Sequence, residues 1–256
     1  MIGVFDSGLG GLTALRELRR LRPDLDIVFY ADTARIPYGT RSKSTLLSWA
    51  KEGFQFLKNQ GAEQILVACG TLSTTVLPTL QKDFPLTLWG VVEPAAHLAF
   101  QTSRKKCVGI LGTTATIASH AFENALQQQG AVSLWSRACP LFVSLVENGL
   151  TSPTHPIVKE VVHHYLSDAK TAGIDTLILG CTHFPLLAHA IHTYLPGVTL
   201  IGAGEAAAHA LCNTHPRVGH GNLSMYVSDN PKDFRARAEA FLGGTIPCPI
   251  LLKEEK

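Results

Sequence analysis

The sequence has no long apolar run, no strong excess of either charge and no closely paired cysteines. No run approaches the roughly 18 uncharged apolar residues of a membrane-spanning helix, and no basic segment followed by an apolar run opens the chain. Lys and Arg number 22 against 20 Asp and Glu, and the resulting charge of +2 does not favour nucleic acid or an anionic membrane as a partner. We therefore expect a soluble, cytoplasmic protein that binds a small molecule.

Cysteine and histidine are present without the spacings that form disulfides or bind metals. The six cysteines include no CxxC pair, so a cytosolic chain is expected to keep them as free thiols. The eleven histidines include no HExxH motif. The glycine-rich turn at residues 8–11 lacks the GxGxxG spacing of a dinucleotide site. The sequence therefore predicts neither a metal nor a cofactor.

Short aliphatic runs alternate with helical patterns along the whole chain, which is typical of parallel sheets covered by helices. With 46% hydrophobic residues, the 256-residue chain can bury a substantial core. One helix is predicted to end before Pro23, because leucines at 12, 15, 18 and 21 share a face. Another is predicted over residues 115–129, ending at Gly130. The predicted strands are residues 2–5, 27–30, 64–68, 88–92, 108–111, 176–179, 199–201 and 223–227.

The chain repeats a pattern at an interval of about 106 to 112 residues. Residues 2–8 resemble residues 108–114, and residues 64–71 resemble residues 175–182. Because ligands of α/β sheets bind at the carboxyl ends of the strands, both halves should face one cleft. The predicted fold class is α/β, with two pseudo-symmetric domains, mainly parallel central sheets and an active site in the cleft between them.

Cys69 and Cys181 occupy matching places in this repeat, each at the end of a predicted strand. Backbone N–H groups at such a turn are expected to lower a thiol pKa and favour the thiolate. Two opposed thiols suit racemisation, since one removes the Cα proton and the other returns a proton to the opposite face. A single cysteine is more often a buried small hydrophobe, and a cysteine hydrolase needs one thiol with a histidine base. The duplication favours racemisation over both alternatives.

Two neighbouring side chains are candidate proton partners for these thiols. His183 follows Cys181 by two residues and titrates near neutral pH, although backbone groups at a helix start could satisfy it instead. Asp6 ends the first predicted strand and is the matching candidate for Cys69, and it also suits a helix N-cap.

Hydroxyl side chains cluster at the predicted strand ends. Hydroxyls and backbone donors suit the carboxylates of an amino acid, although each hydroxyl taken alone is more often a helix cap. The cluster comprises Ser7, Thr71, Thr113, Thr114, Thr116 and Thr182.

Six segments of the chain, in order, resemble the glutamate racemases of the aspartate/glutamate racemase superfamily. They are FDSGLGG at residues 5–11, PYG at 37–39, VAC at 67–69, GVVEP at 90–94, LGTTAT at 111–116 and LGCTHFPL at 179–186. The resemblance implies interconversion of L- and D-glutamate without pyridoxal phosphate or metal, supplying D-glutamate for peptidoglycan synthesis. It also implies a homodimer.

The same resemblance assigns roles to individual residues. Cys69 would remove the proton from D-glutamate and Cys181 from L-glutamate, with Asp6, His183 and Glu147 assisting. The implied substrate contacts are Asp6, Ser7, Pro37, Tyr38, Gly39, Gly70, Thr71, Thr113, Thr116, Thr182 and His183. The family fold implies one domain of residues 1–94 with 206–256 and a second of residues 95–205.

Position 70 departs from the family pattern, which has Asn directly after the first cysteine. Gly70 removes a side chain expected to hydrogen-bond the substrate, a contact to a charged group worth about 1.5–3 kcal/mol. A water or a re-aimed turn at the flexible glycine would replace it. Two alternatives to weakened glutamate racemisation stay open: a racemase or epimerase with a shifted substrate, and a binding protein that has lost turnover.

Overall fold

The structure is a computed structural model that describes residues 1–131, 133–214, 219–242 and 244–252, apart from the side chain of residue 240. Ten strands and twelve α-helices alternate along these residues. The strands are β1 (Ile2–Asp6), β2 (Ile27–Ala31), β3 (Gln64–Val67), β4 (Thr87–Trp89), β5 (Cys107–Gly112), β6 (Ser133–Ala138), β7 (Thr176–Leu179), β8 (Thr199–Gly202), β9 (Leu223–Val227) and β10 (Ile250–Leu251). The helices are α1 (Leu12–Leu21), α2 (Lys43–Asn59), α3 (Gly70–Thr75), α4 (Leu77–Asp83), α5 (Val92–Thr102), α6 (Thr114–Ala118), α7 (Ala121–Gln129), α8 (Pro140–Glu147), α9 (Pro156–Leu166), α10 (Ala188–Tyr194), α11 (Ala203–Thr214) and α12 (Pro231–Leu242).

The strands form two parallel sheets with the same internal order. The first sheet runs β10-β9-β2-β1-β3-β4 and the second runs β6-β5-β7-β8. Strand β1 therefore corresponds to β5, and β3 corresponds to β7, which confirms the α/β class and the predicted repeat. The domain boundaries at residues 94 and 205 stay a prediction, and residues 215–218, 243 and 253–256 of that division lie outside the described part of the chain.

The strand order explains why a cleft opens at the ends of β1, β3, β5 and β7. The chain leaves β1 toward β2 on one side, and it leaves the neighbouring β3 toward β4 on the other side. Connections that diverge in this way leave a crevice at the carboxyl ends of the two strands. The pair β5 and β7 repeats the arrangement, so each sheet contributes one crevice.

Several local predictions are confirmed. Helix α1 buries Leu12, Leu15 and Leu18 against the core and ends at Leu21. Helix α7 ends at Gly130, which has the left-handed φ of 97° that favours glycine at a helix end.

Other local predictions are wrong at their edges. The strand predicted over residues 88–92 stops at Trp89, because residues 92–94 already form the first turn of α5. The helix predicted over residues 115–129 breaks into α6 and α7 at His120, whose φ is 53°. Strands β6 and β10 were not predicted: β6 is a half-exposed edge strand of mixed polarity, and β10 has only two residues.

A shared core joins the two sheets. One cluster of buried apolar side chains includes Leu66 from β3, Ala95 from α5, Ala207 from α11 and Val108 from β5. Helix α11 packs on both α1 and α5. The two halves are therefore tied together by one continuous apolar core.

Candidate active site

The carboxyl ends of the four central strands surround a cavity of about 340 Å³, within the range of small-molecule sites, which begins at roughly 300 Å³. Most of the predicted site residues line it, from both halves of the chain. They are Ser7, Pro37, Tyr38, Gly39, Cys69, Gly70, Thr71, Thr113, Thr114, Glu147, Cys181, Thr182 and His183. Asp6 and Thr116 lie behind the cavity wall, and both are fully buried.

Cys69 lies between β3 and α3, buried at the wall of the cavity. Its thiol donates to the Ser7 hydroxyl oxygen at 3.7 Å, and its sulfur accepts from the backbone N–H of Leu72. Burial and the nearby Asp6 carboxylate raise the pKa of the thiol to about 12. The expectation that the turn would lower this pKa is therefore wrong for Cys69, because the N–H of Leu72 is outweighed by loss of solvent.

Asp6 lies at the end of β1 and is completely buried. Its Oδ2 accepts hydrogen bonds from the N–H groups of Gly8 at 3.0 Å and Gly11 at 2.9 Å, and its Oδ1 accepts from the Thr182 hydroxyl at 3.3 Å. Burial raises the pKa of Asp6 to about 6 against the opposing effects of His183 and these donors. The carboxyl thus binds N–H groups of the turn, but it is not the N-cap of α1, which is Gly11. It changes protonation near pH 6.

Cys181 and His183 follow β7 on a turn that leads into residues 184–187. The Nδ1 atom of His183 is 3.8 Å from Cys181 Sγ, and its Nε2 atom is 2.5 Å from Glu147 Oε1. Burial opposes the charged imidazole, but the contacts with Cys181 and Glu147 outweigh it and raise the pKa of His183 to about 10. These contacts favour an imidazolium on His183, within 3.8 Å of the Cys181 sulfur. Side chains satisfy both ring nitrogens, in place of the backbone partners of the alternative interpretation.

Glu147 is the last residue of α8. It carries the negative charge of the half-site around Cys181, as we call the group of side chains around each of the two cysteines. Burial opposes its ionisation, but the contacts with His183 and Arg237 lower the pKa of Glu147 to about 2. Arg237 on α12 donates to Glu147 Oε2 and, at 3.2 Å, to the Glu147 backbone carbonyl. No motif in the sequence pointed to Arg237, which lies 90 residues away along the chain.

The hydroxyl groups connect the two halves across the cavity. Thr71 Oγ1 lies 3.0 Å from Thr113 Oγ1, and the Thr113 hydroxyl also accepts from the N–H of Thr116 as the cap of α6. Thr116 sits behind Thr113, with 3.0 Å between their hydroxyl oxygens, so its predicted contact with substrate stays a prediction.

The loop at residues 36–40 closes another side of the cavity. The Tyr38 hydroxyl donates to the buried carboxylate of Asp32, and the Ser228 hydroxyl donates to the other Asp32 oxygen at 2.8 Å. Tyr38 therefore contributes its ring to the wall while its hydroxyl anchors the loop. Sequence patterns also missed the apolar wall formed by Ile36, Pro140 and Val143.

Comparison with known proteins connects this geometry to a family. The family model for Asp/Glu/Hydantoin racemase matches residues 13–211. The chain belongs to the aspartate/glutamate racemase family. A glutamate racemase of Aquifex aeolicus is 44% identical over 249 residues, which cover 97% of this chain and 96% of the relative. The chain is therefore an amino-acid racemase, an isomerase.

Solved structures of racemases superpose on nearly the whole chain. A glutamate racemase isoform of Bacillus anthracis has a TM-score of 0.92 at 33% identity, covering 99% of this chain and 97% of the other. The glutamate racemase of Francisella tularensis in complex with D-glutamate has a TM-score of 0.89 at 32% identity, with the same coverage. Among the described residues of this racemase, no helix has the length and apolar character needed to cross a membrane.

Proposed function

We propose that this racemase interconverts L- and D-glutamate by a two-thiol mechanism that needs no cofactor. One observation supports it most: Cys69 and Cys181 come from matching strands, β3 and β7, and line the same cavity. The relatives named as glutamate racemases, one of them with D-glutamate bound, favour glutamate as the substrate. A role in peptidoglycan synthesis and a homodimeric assembly belong to the same proposal and rest on the family resemblance.

The direction of each proton transfer follows from which of the two cysteines begins protonated. In the L-to-D direction, the Cys181 thiolate takes the Cα proton, and its S–H bond forms as the C–H bond breaks. The Cys69 thiol then delivers its proton to the opposite face of the carbanion. Cys69 is suited to begin as the acid, because burial and Asp6 keep its pKa near 12. The D-to-L direction runs through the same steps in reverse.

Asp6 and His183 act on the thiols from opposite sides. A protonated Asp6 no longer repels a thiolate on Cys69, so the carboxyl couples its own protonation to that of the thiol. The His183 imidazolium can exchange a proton with Cys181 across 3.8 Å. Hydroxyls of Ser7, Thr71 and Thr182 are available to the substrate carboxylates at the cavity wall.

The test is to incubate L-glutamate and, separately, D-glutamate with the enzyme in deuterium oxide. Circular dichroism follows loss of optical activity, and mass spectrometry counts deuterons at Cα. We expect both signals to decay, with one deuteron gained in each inverted molecule. Folded protein that causes neither decay nor exchange would contradict the proposal and would favour a different amino acid as substrate.

A further inference from the structure

Gly70 forms an unusually close contact between the two halves of the cleft. It is the first residue of α3, directly after Cys69, and Gly180 directly precedes Cys181. A Cβ atom at position 70 would lie only 1.9 Å from the carbonyl oxygen of Gly180. The obstacle is a peptide group, so it can move away only if the turn that carries Cys181 moves with it.

Two further glycines of the first half of the chain make similarly close contacts with the second half, and we call the three contacts together the seam. A Cβ at Gly10 would lie 2.3 Å from Thr182 Oγ1, and a Cβ at Gly39 would lie 2.8 Å from Thr113 Cβ. In each pair the glycine comes from the first half of the chain and its neighbour from the second. The seam therefore consists of glycines of one half set against the strand-end turns of the other.

We infer that Gly70 is a positioning residue: because it lacks a side chain, the turn that carries Cys69 closes against the turn that carries Cys181. The closed contact fixes the separation of the two sulfur atoms, which must match a single Cα held between them. In this chain the turns lie so close that a Cβ at position 70 would push them apart. This inference adds to the proposed function, since it explains what the glycine does rather than what it lacks.

The first test compares Gly70→Ala with Gly244→Ala, whose Cβ would meet nothing within 4 Å. For Gly70→Ala we expect kcat to fall by about 100-fold, the scale of a misplacement of about 1 Å. KM should rise as well, because Thr71 and Thr182 move with the two turns, so the fall in kcat is the deciding kinetic readout. Gly244→Ala should keep the wild-type values of both parameters. Near wild-type kcat in Gly70→Ala would overturn the inference.

A second readout follows the seam without catalysis. Labelling with iodoacetamide, counted peptide by peptide, should modify Cys69 and Cys181 faster in Gly70→Ala, since both thiols are buried while the seam is closed. Cys107 is equally buried but begins β5, at the end of the strand away from the cleft, so its labelling should not change. Labelling is compared at a temperature at which Cys107 stays protected, so unfolding cannot produce the expected result.

The two readouts separate this inference from the glutamate proposal. Faster labelling of Cys69 and Cys181 supports the inference even if glutamate proves to be the wrong substrate. Unchanged labelling overturns it, even if activity falls, because the methyl group would then act locally. Gly39→Ala, which presses on the side chain of Thr113, should show the same change in labelling to a smaller degree.

Discussion

The two half-sites share a backbone and differ in charge. Each places a cysteine after the strand beside the central strand of its sheet, β3 in one half and β7 in the other. Cys69 faces a buried carboxyl and has a pKa raised to about 12, whereas Cys181 faces an imidazolium paired with a carboxylate. The repeat thus places both thiols at one cavity. In the proposed mechanism, the residues around each thiol decide which thiol begins with a proton.

This difference cannot appear as a difference in kcat/KM between the two directions. The two enantiomers have equal free energy, so the equilibrium constant is unity and kcat/KM must be equal both ways. The asymmetry should instead appear in isotope exchange, in pH dependence and in kcat and KM taken separately.

The largest expected effect comes from removing either thiol. Cys69→Ala and Cys181→Ala should each lower racemisation by about 10³- to 10⁴-fold, because each removes a positioned acid or base. Circular dichroism with either enantiomer measures the rate. Cys107→Ala, far from the cleft, should stay within a few-fold of wild type. Near-full turnover by either site variant would show that two thiols are not needed.

Removing the charge of Glu147 should cause the next largest loss of kcat. Glu147→Gln keeps a hydrogen-bond acceptor for His183 but loses the charge, so the pKa of His183 should fall and kcat should drop about 100-fold.

In the wild type, the raised pKa of His183 stabilises the fold below pH 6.5, and this contribution is lost as pH rises through 10. Chemical denaturation from pH 6 to 10 should therefore show a smaller decline for Glu147→Gln. If the free energy of unfolding declined equally in Glu147→Gln and wild type, the ion pair between His183 and Glu147 would be contradicted.

Asp6→Asn, beside Cys69, should lower turnover while raising the stability of the fold near neutral pH. Asn can still accept from Gly8 and Gly11, so the turn should persist while turnover falls about 10-fold or more. The raised pKa of Asp6 favours the fold below pH 3.8, and that advantage is lost as pH rises through about 6. Relative to wild type, the variant should gain up to about 3 kcal/mol in free energy of unfolding between pH 4 and 8.

Asp26→Asn is the matched control for this pH dependence. Asp26 has a lowered pKa because it accepts from backbone N–H groups of Asn222 and His220, so its stabilising effect is present at high pH and lost as pH falls. Its variant should therefore lose stability relative to wild type as pH rises from 3 to 8. The same sign of change in both variants would contradict the buried, destabilising charge of Asp6.

The smallest effect is expected from Arg237. Arg237→Gln removes the guanidinium that holds Glu147, which should lower kcat several-fold and raise the pKa of Glu147. Stability should change by only about 0.5 kcal/mol, since the pair is partly exposed. Arg235→Gln, on the same helix but paired with Glu239, should leave kcat unchanged. Equal kcat values for the two variants would show that Arg237 has no role in catalysis.

Much of this architecture was predictable because it depends on local pattern. The apolar runs that became β1, β3, β5 and β7 end at polar turns, and the repeat of these turns predicted one cleft for Cys69 and Cys181. Edge strand β6 was missed because its half-exposed side chains give no apolar run. The break at His120 was missed because a left-handed residue can interrupt a helix without a glycine or proline signal.

The electrostatics of the site depended on tertiary contacts that no short motif contains. Burial reverses the expected effect of the turn on Cys69, and its extent is set by the packing of both halves. Arg237 reaches Glu147 only because α12 folds back onto the end of α8. The contact between Gly70 and Gly180 likewise joins residues that sequence spacing does not place together.

The most direct test of two opposed thiols is hydrogen exchange at Cα in the single-thiol variants. With Cys181→Ala, D-glutamate in deuterium oxide should gain deuterium without inversion, because Cys69 can remove the proton and return a deuteron to the same face. With Cys69→Ala, L-glutamate alone should exchange in this way. Exchange of both enantiomers by one variant, or inversion by either, would contradict the assignment of one thiol to each face.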